Sequence, residues 1–252
     1  MNLGLAALVV ASVLGTSAIS GVFGMAGGLI LMGILTWALP VATALTLHGL
    51  TQMASNASRI VLHFKHVNWR VVAYYAVGAA VAMLAFGAVS YVPSKAIVFL
   101  GMGLLPIFVW LPERYVVLDA ARPSHAVLAG VTSTALALLA GISGPLNDLF
   151  LTRSVLSRHQ IISTKAALQM FGHLAKVLFY GAAVIQAGGP QAPPLWLMIA
   201  AAVAALAGVV LGSQVLEKIS DERFLRWRRW IFTAIAFTYL VQAAILFARG
   251  DA

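Results

Sequence analysis

The chain has 252 residues, 62% of them hydrophobic and 9% charged, against roughly 25% charged in an average soluble protein. With a mean hydropathy of +0.96 it has too few charges to cover a water-soluble globule, which argues against a soluble enzyme, a nucleic-acid binder and a disordered tail. The excess of 16 Lys and Arg over 7 Asp and Glu then belongs to the cytoplasmic loops of a polytopic membrane protein. The chain has no Cys, so no disulfide, thiolate metal site or redox relay is available, and neither metal nor cofactor is expected. The opening MNLGLAALVV lacks the positive region of a cleavable signal peptide, and residues 4–22 are read as part of the mature membrane domain.

A spanning helix needs about 20 apolar residues. Apolar runs predict helical segments at 4–22, 28–39, 41–63, 71–91, 95–111, 125–141, 145–156, 160–187, 194–216 and 230–248. Gly24, Gly27 and Gly28 break the first run from the second, and Gly141, Gly144 and Pro145 break the sixth from the seventh. The second and seventh runs are short, either short spans or arms of re-entrant hairpins. The six Trp residues all lie near segment ends, where interfacial aromatic residues belong. Of the 16 Lys and Arg, 13 flank four alternate connections, at 63–70, 112–124, 153–160 and 217–229. The connection 188–194 carries no Lys or Arg. Placing the basic connections in the cytoplasm puts both termini outside.

Offset by 117, the two halves align without a gap from Gly24 to Phe64. Gly24–Gly28 falls on Gly141–Pro145, Gln52-Met53 on Gln169-Met170, His48 on Lys165, Asn56 on His173 and Arg59 on Lys176. The charge-derived orientation makes the copies enter from opposite sides, as in the inverted-topology repeats of many secondary transporters. The expected fold is an all-α polytopic membrane protein of two inverted halves, 1–118 and 119–252. It has about 8–10 helical segments, with glycine-broken or re-entrant helices in each half.

The run 41–63 carries His48, Gln52, Asn56, Arg59 and His63 at helical spacing. The run 160–187 carries Lys165, Gln169, His173, Lys176 and Tyr180 with the same steps. Polar groups at bilayer depth face a cavity or another helix. Interhelical hydrogen bonding explains single Gln or Asn residues equally well, whereas two stripes in register favour a lined pathway. Snorkelling to an interface is the competing account of Arg59 and Lys176. The glycine breaks leave free N–H groups and positive dipole ends that suit an anion. The candidate substrate contacts are Gly24, Gly27, Gly28, Gln52, Asn56, Ser143, Gly144, Asn147, Gln169, His173 and Lys176. The candidates for coupling or charge relay are His48, Asp148, Lys165 and Arg59. Asp148 is also placed to pair with Arg153 or Lys165, or to cap a helix.

Gly24-Met25-Ala26-Gly27-Gly28, the apolar stretch to Pro40, and a helix ending before His66-Val67-Asn68-Trp69-Arg70 resemble the TauE/SafE family of sulfite and organosulfonate exporters. That family has a GxGGG-like break in each half and a basic NxDWR-like turn. The resemblance covers about residues 4 to 248, and the second copy, Gly141–Pro145, departs from it by carrying fewer glycines. It implies export of sulfite or a sulfonate such as sulfoacetate from a bacterial cytoplasm, across the inner membrane. The residues themselves point to a small anion carried by alternating access with proton coupling. An anion channel, or a carrier of another small organic anion, is the alternative. No HExxH or GxSxG motif supports a membrane enzyme, and no phosphate-binding loop points to nucleotide as the energy source. The expected partners are a small anion and the bilayer, not nucleic acid, and homodimerisation is compatible with the sequence.

Overall fold

The apolar runs form helices, and for several of them a local signal marks the start. The computed structural model describes residues 2–23, 25–89, 91–111, 118–151, 156–187, 192–216 and 221–250. Its helices are α1 (Leu3–Phe23), α2 (Met25–Ala38), α3 (Val41–Leu62), α4 (Trp69–Val89), α5 (Lys95–Leu104), α6 (Pro106–Trp110), α7 (Pro123–Ala140), α8 (Gly144–Leu151), α9 (Arg158–Ala187), α10 (Leu195–Leu216) and α11 (Asp221–Ala248). No strand occurs among the described residues. Side-chain oxygens accept otherwise unpaired first-turn N–H groups at Asn2 for α1, Asn68 for α4 and Ser94 for α5. At α9, Ser157 and Gln160 cap each other reciprocally. Prolines open α6 and α7, where a missing N–H costs nothing.

Three details differ from the sequence expectation. Gly27 and Gly28 lie inside α2; Gly24 lies outside the described residues. The run 95–111 is divided at Leu105, because Pro106 cannot continue the hydrogen-bond ladder of α5. Helix α11 begins at Asp221, before its apolar run, and carries the basic segment Arg223–Arg229 as helix.

Helices α1, α4, α7, α9, α10 and α11 each contain a stretch long and apolar enough to cross a bilayer. At 22 residues α3 is as long, but its polar stripe lowers its hydropathy. With 14 and 8 residues, α2 and α8 reach only ~21 and ~12 Å, short of a hydrocarbon core ~30 Å thick. The outward faces of α4, α10 and α11 present Val77, Val81, Leu84, Ile199, Val203, Val210 and Phe237 as exposed apolar surface. Such a surface is tolerated in lipid and not in water.

The longest helix contacts pair α1 with α10, α4 with α7, α3 with α9, and α5 with α11. Small residues permit the closest of them. A Cβ at Gly78 would fall on the Val127 carbonyl oxygen and one at Gly130 on that of Tyr75, so α4 and α7 touch backbone to backbone. A Cβ at Gly27 would fall on the Thr16 carbonyl, which holds α2 folded back tightly on α1. Helices α3 and α9 run antiparallel, from ring contact of His63 with His159 at one end to Thr46 beside Gly181 toward the other. Two apolar clusters flank this pair. One is built on Leu29, Met32 and Leu35 of α2 with Val98, Phe99 and Met102 of α5. The other joins Val71 and Tyr75 of α4, Ala126 of α7, and Leu146 and Phe150 of α8.

These contacts make a stability prediction. Gly130→Ala and Gly27→Ala overpack their interfaces and should each destabilise the protein by about 1–3 kcal/mol. Gly15→Ala and Gly87→Ala meet nothing within 4 Å and should be neutral or stabilising, by up to about 1 kcal/mol. Thermal melts of the four variants in detergent test this, and equal melting temperatures would show that the helices do not pack this closely.

Candidate functional site

The close crossing of α3 and α9 builds the site. Gly49 allows it, since a Cβ there would stand 2.8 Å from Val177 Cγ2 and 3.0 Å from the His173 carbonyl. The crossing brings His48 of α3 against His173 and Lys176 of α9. Lys176 is 0% exposed, so it does not snorkel to either surface. Its Nζ lies 2.6 Å from His48 Nδ1 and donates to the Gly141 carbonyl at 2.6 Å. Lysine can donate whether or not it is protonated, and the Gly28 carbonyl on the other side of the ring can only accept, so in the neutral ring His48 Nδ1 is the acceptor. Its Nε2 then carries the proton and donates to the Gly28 carbonyl at 3.0 Å. The His173 ring stands edge-on to His48, with centroids 5.7 Å apart. Its Nδ1 is buried and makes no hydrogen bond among the described residues.

The Gly141 carbonyl is available for a physical reason. Gly141 caps α7 in the left-handed region, φ +76°, where a side chain would be strained. Carbonyls in the last turn of a helix have no intrahelical N–H partner and carry the negative end of the dipole. A lysine amine is a suitable donor to them. The sequence pointed to helix N-termini at the breaks; the contact that forms at the second break is with a C-terminus.

The other sequence candidates are distributed around this centre. Gly28 faces α3, with the Gln52 amide nitrogen 3.1 Å from where its Cβ would be, whereas Gly27 faces α1 and serves packing. Asn56 is buried and accepts a long 3.5 Å contact from Arg59 Nη1. Gln169 is half-buried on α9, two turns from Lys176. Lys165 forms an ion pair of 2.5 Å with Asp148, the side chains 17% and 18% exposed; this joins two residues proposed for charge relay. Ser143, Gly144 and Asn147 are buried at the start of α8, where the Asn147 N–H donates to the Ser143 carbonyl at 3.0 Å. Gly24 and Arg153 lie outside the described residues.

One group escaped the sequence reading. Tyr75 of α4 has its hydroxyl facing Ser133 and Thr134 of α7 and Asn147 of α8. All four residues are essentially sealed from solvent. The three hydroxyls and the Asn147 amide have no partner other than one another among the described residues. Only Asn147 had been singled out. Ser and Thr inside an apolar helix usually bond to their own backbone and are uninformative, and Tyr75 sits in an otherwise ordinary span.

In the second half and at the α3–α9 crossing, the described residues therefore hold a buried amine with neutral partners and a cluster of neutral donors. Such groups can hold a small polar species through hydrogen bonds and charge. No curated protein and no solved structure matches the chain. The family of the sulfite exporter TauE/SafE matches it over residues 8–241. Six helices suited to crossing a bilayer and a match spanning nearly the full length make it a multi-pass membrane protein, and the chain belongs to the TauE/SafE sulfite exporter family of membrane transporters.

Proposed function

We propose that the protein is a secondary transporter that exports sulfite or an organosulfonate such as sulfoacetate from a bacterial cytoplasm by proton-coupled alternating access. The observation that carries this reading is the buried Lys176 amine, held between His48 and the Gly141 carbonyl. Both partners are neutral. An ammonium there is costly to desolvate without a counter-charge, and an arriving anion supplies one. A proton on Lys176 and an anion beside it thus favour each other, which is the thermodynamic requirement for coupling their movements. His48 and the edge-on His173 extend the proton-carrying chain, and the Asp148–Lys165 pair lies beside the second break.

The proposed carrier has two inverted halves, 1–118 and 119–252, with the site between them. Support comes from helix pairings that exchange when the helices of the two halves are matched in chain order, α1 to α7 through α5 to α11. The pairing of α1 with α10 maps onto that of α7 with α4, while α3–α9 and α5–α11 map onto themselves. Short α2 and α8 following a break in each half fit the discontinuous helices of such carriers. The concentration of basic residues on alternate connections supports periplasmic termini.

Two outcomes test this reading. Lys176→Gln removes a charged donor and should weaken sulfite or sulfoacetate binding about 13–160-fold, with transport lost in proteoliposomes. Gln52→Ala, removing a neutral donor, should cost about 2–13-fold. Wild-type affinity and flux in a folded Lys176→Gln protein would remove the basis of the proposal. For orientation, single cysteines introduced into this Cys-free chain should react with an impermeant maleimide in intact cells at 188–194 and not at 217–229. The reverse labelling would invert the topology and with it the direction argued from charge.

A further inference from the structure

Arg59 takes no part in the Lys176 centre, yet its setting is unusual for a cation near a membrane surface. It lies in the last turn of α3 and is half-buried. An arginine at such a place ordinarily turns its head out to the interface. Here the guanidinium points the other way. Its Nη1 reaches Asn56 Oδ1 at 3.5 Å, one turn deeper along α3, the direction in which helical side chains lean. That contact is at the long limit for a hydrogen bond, and among the described residues the guanidinium makes no other and has no carboxylate partner. Asp148, the acid on α8, is joined to Lys165. A guanidinium carries five N–H donors in a rigid fork, and here one is engaged, weakly. The negative end of the α3 dipole helps to hold the charge but satisfies none of these donors.

The direction of the Arg59 head is the direction of the polar stripe. Asn56, Gln52 and His48 follow one another at four-residue steps, and the last of them meets Lys176. Arg59 and His48 are about three turns apart, ~16 Å along the axis. Beside this line stands His173 of α9, edge-on to His48, with its buried Nδ1 unpartnered; the charge on Arg59 acts on it. On the other side of Arg59 the path opens to solvent. The ends of α3 and α9 and the turn between α3 and α4 bring together His63, Lys65, His66 and His159. The His159 ring lies 6.2 Å from that of His63 and 5.4 Å from that of His66. No Asp or Glu occurs in 59–70 or 156–165. A mouth lined by one sign of charge concentrates the opposite ion, and this one leads to Arg59.

We infer that Arg59 is a separate entry station on the 63–70 side of the protein, where its guanidinium takes up the anion before the stripe of α3 passes it to Lys176. This rests on the anion-transport reading and adds to it a second cation in series with the first. The two cations suit different tasks. Arginine stays protonated at any working pH, so capture at Arg59 needs no proton. Its fork holds two oxygens of an oxyanion side by side, and it is half-buried, so an anion reaches it without first being sealed from water. Lys176 is fully sealed, which places the exchange of anion and proton at the second station. Asn56, buried and bonded to one arm of the fork, is a positioning residue that keeps the head turned inward.

The test uses purified full-length protein, calorimetric titration with sulfoacetate, flux of sulfoacetate in proteoliposomes, and thermal melts. The variants are Arg59→Gln, Arg59→Lys, Lys176→Gln and the double variant Arg59→Gln with Lys176→Gln. Lys176→Gln should keep a residual sulfoacetate site, and adding Arg59→Gln should weaken that residual binding about 13–160-fold. Alone, Arg59→Gln should raise the KM for flux by a similar factor with kcat nearly unchanged, since saturating anion bypasses the capture step. Arg59→Lys, which keeps the charge and loses the fork, should recover part of the KM. Arg249→Gln, exposed at the far end of α11, should change nothing. A wild-type KM in Arg59→Gln, or no residual binding in Lys176→Gln, would overturn the station. So would a lower melting temperature of Arg59→Gln at unchanged KM, which is the signature of a cation that only anchors the helix end. These outcomes leave the transport reading standing as long as Lys176→Gln itself weakens binding. Wild-type affinity and flux in Lys176→Gln would instead remove that reading, and with it the station that serves it.

Discussion

The interaction on which the centre of this protein depends is the pair of hydrogen bonds made by Lys176. A primary amine at 0% exposure has only two sources of compensation, donors' partners supplied by the protein or a charge supplied from outside. The protein supplies His48 Nδ1 and the Gly141 carbonyl. Each of these in turn demands a particular backbone. His48 can accept at Nδ1 because Nε2 is occupied at Gly28. Gly141 can present its carbonyl because it ends α7 in a conformation that favours glycine. A single amine therefore ties α9 to α3 and to the end of α7, and through His48 to α2. A change of charge on Lys176 therefore bears at once on contacts to α3 and the end of α7 and, through His48, to α2.

The same economy of side chains appears in the packing. In lipid there is no hydrophobic drive between helices, so close approach and polar contacts decide which pair. Gly27, Gly49, Gly78 and Gly130 each occupy a point where a Cβ would strike a neighbouring helix. The approach of α4 to α7 at Gly78 and Gly130 is what brings Tyr75 within reach of Ser133 and Thr134. Gly78 and Tyr75 on α4, and Gly130 and Ser133 on α7, thus lie about one turn apart on the same two helices.

Family membership and site geometry contribute separately to the functional reading. Membership states that the chain is a membrane transporter related to sulfite exporters. The geometry adds a buried amine beside two histidines and a sealed polar cluster at Tyr75. Neither depends on the other: a different family would leave the amine and the donors where they are.

Much of the architecture was legible in the sequence because membrane solvation is a strong constraint. Apolar runs must be helices when no water is present to satisfy the backbone, and helix limits followed the runs closely from Leu3–Phe23 to Leu195–Leu216. The stripe of His48, Gln52, Asn56 and Arg59, and its counterpart on α9, were visible because 3.6-residue periodicity survives without tertiary information. What the sequence could not decide was which polar groups meet. Lys176 could have reached an interface, and only the crossing at Gly49 shows it sealed against His48. Asp148 could have paired with Arg153 or Lys165, or served as a cap, and the turn at Gly141 determines that it meets Lys165. Gly27 and Gly28 are adjacent and alike in sequence, yet one packs on α1 and the other faces Gln52, since neighbours on a helix point about 100° apart. Tyr75, Ser133 and Thr134 carried no signal at all, because a hydroxyl in an apolar helix ordinarily bonds to its own backbone. Whether it does so, as Thr16 does, or turns toward polar groups of other helices, as Tyr75 does, is a property of three helices at once, and only the tertiary structure contains it.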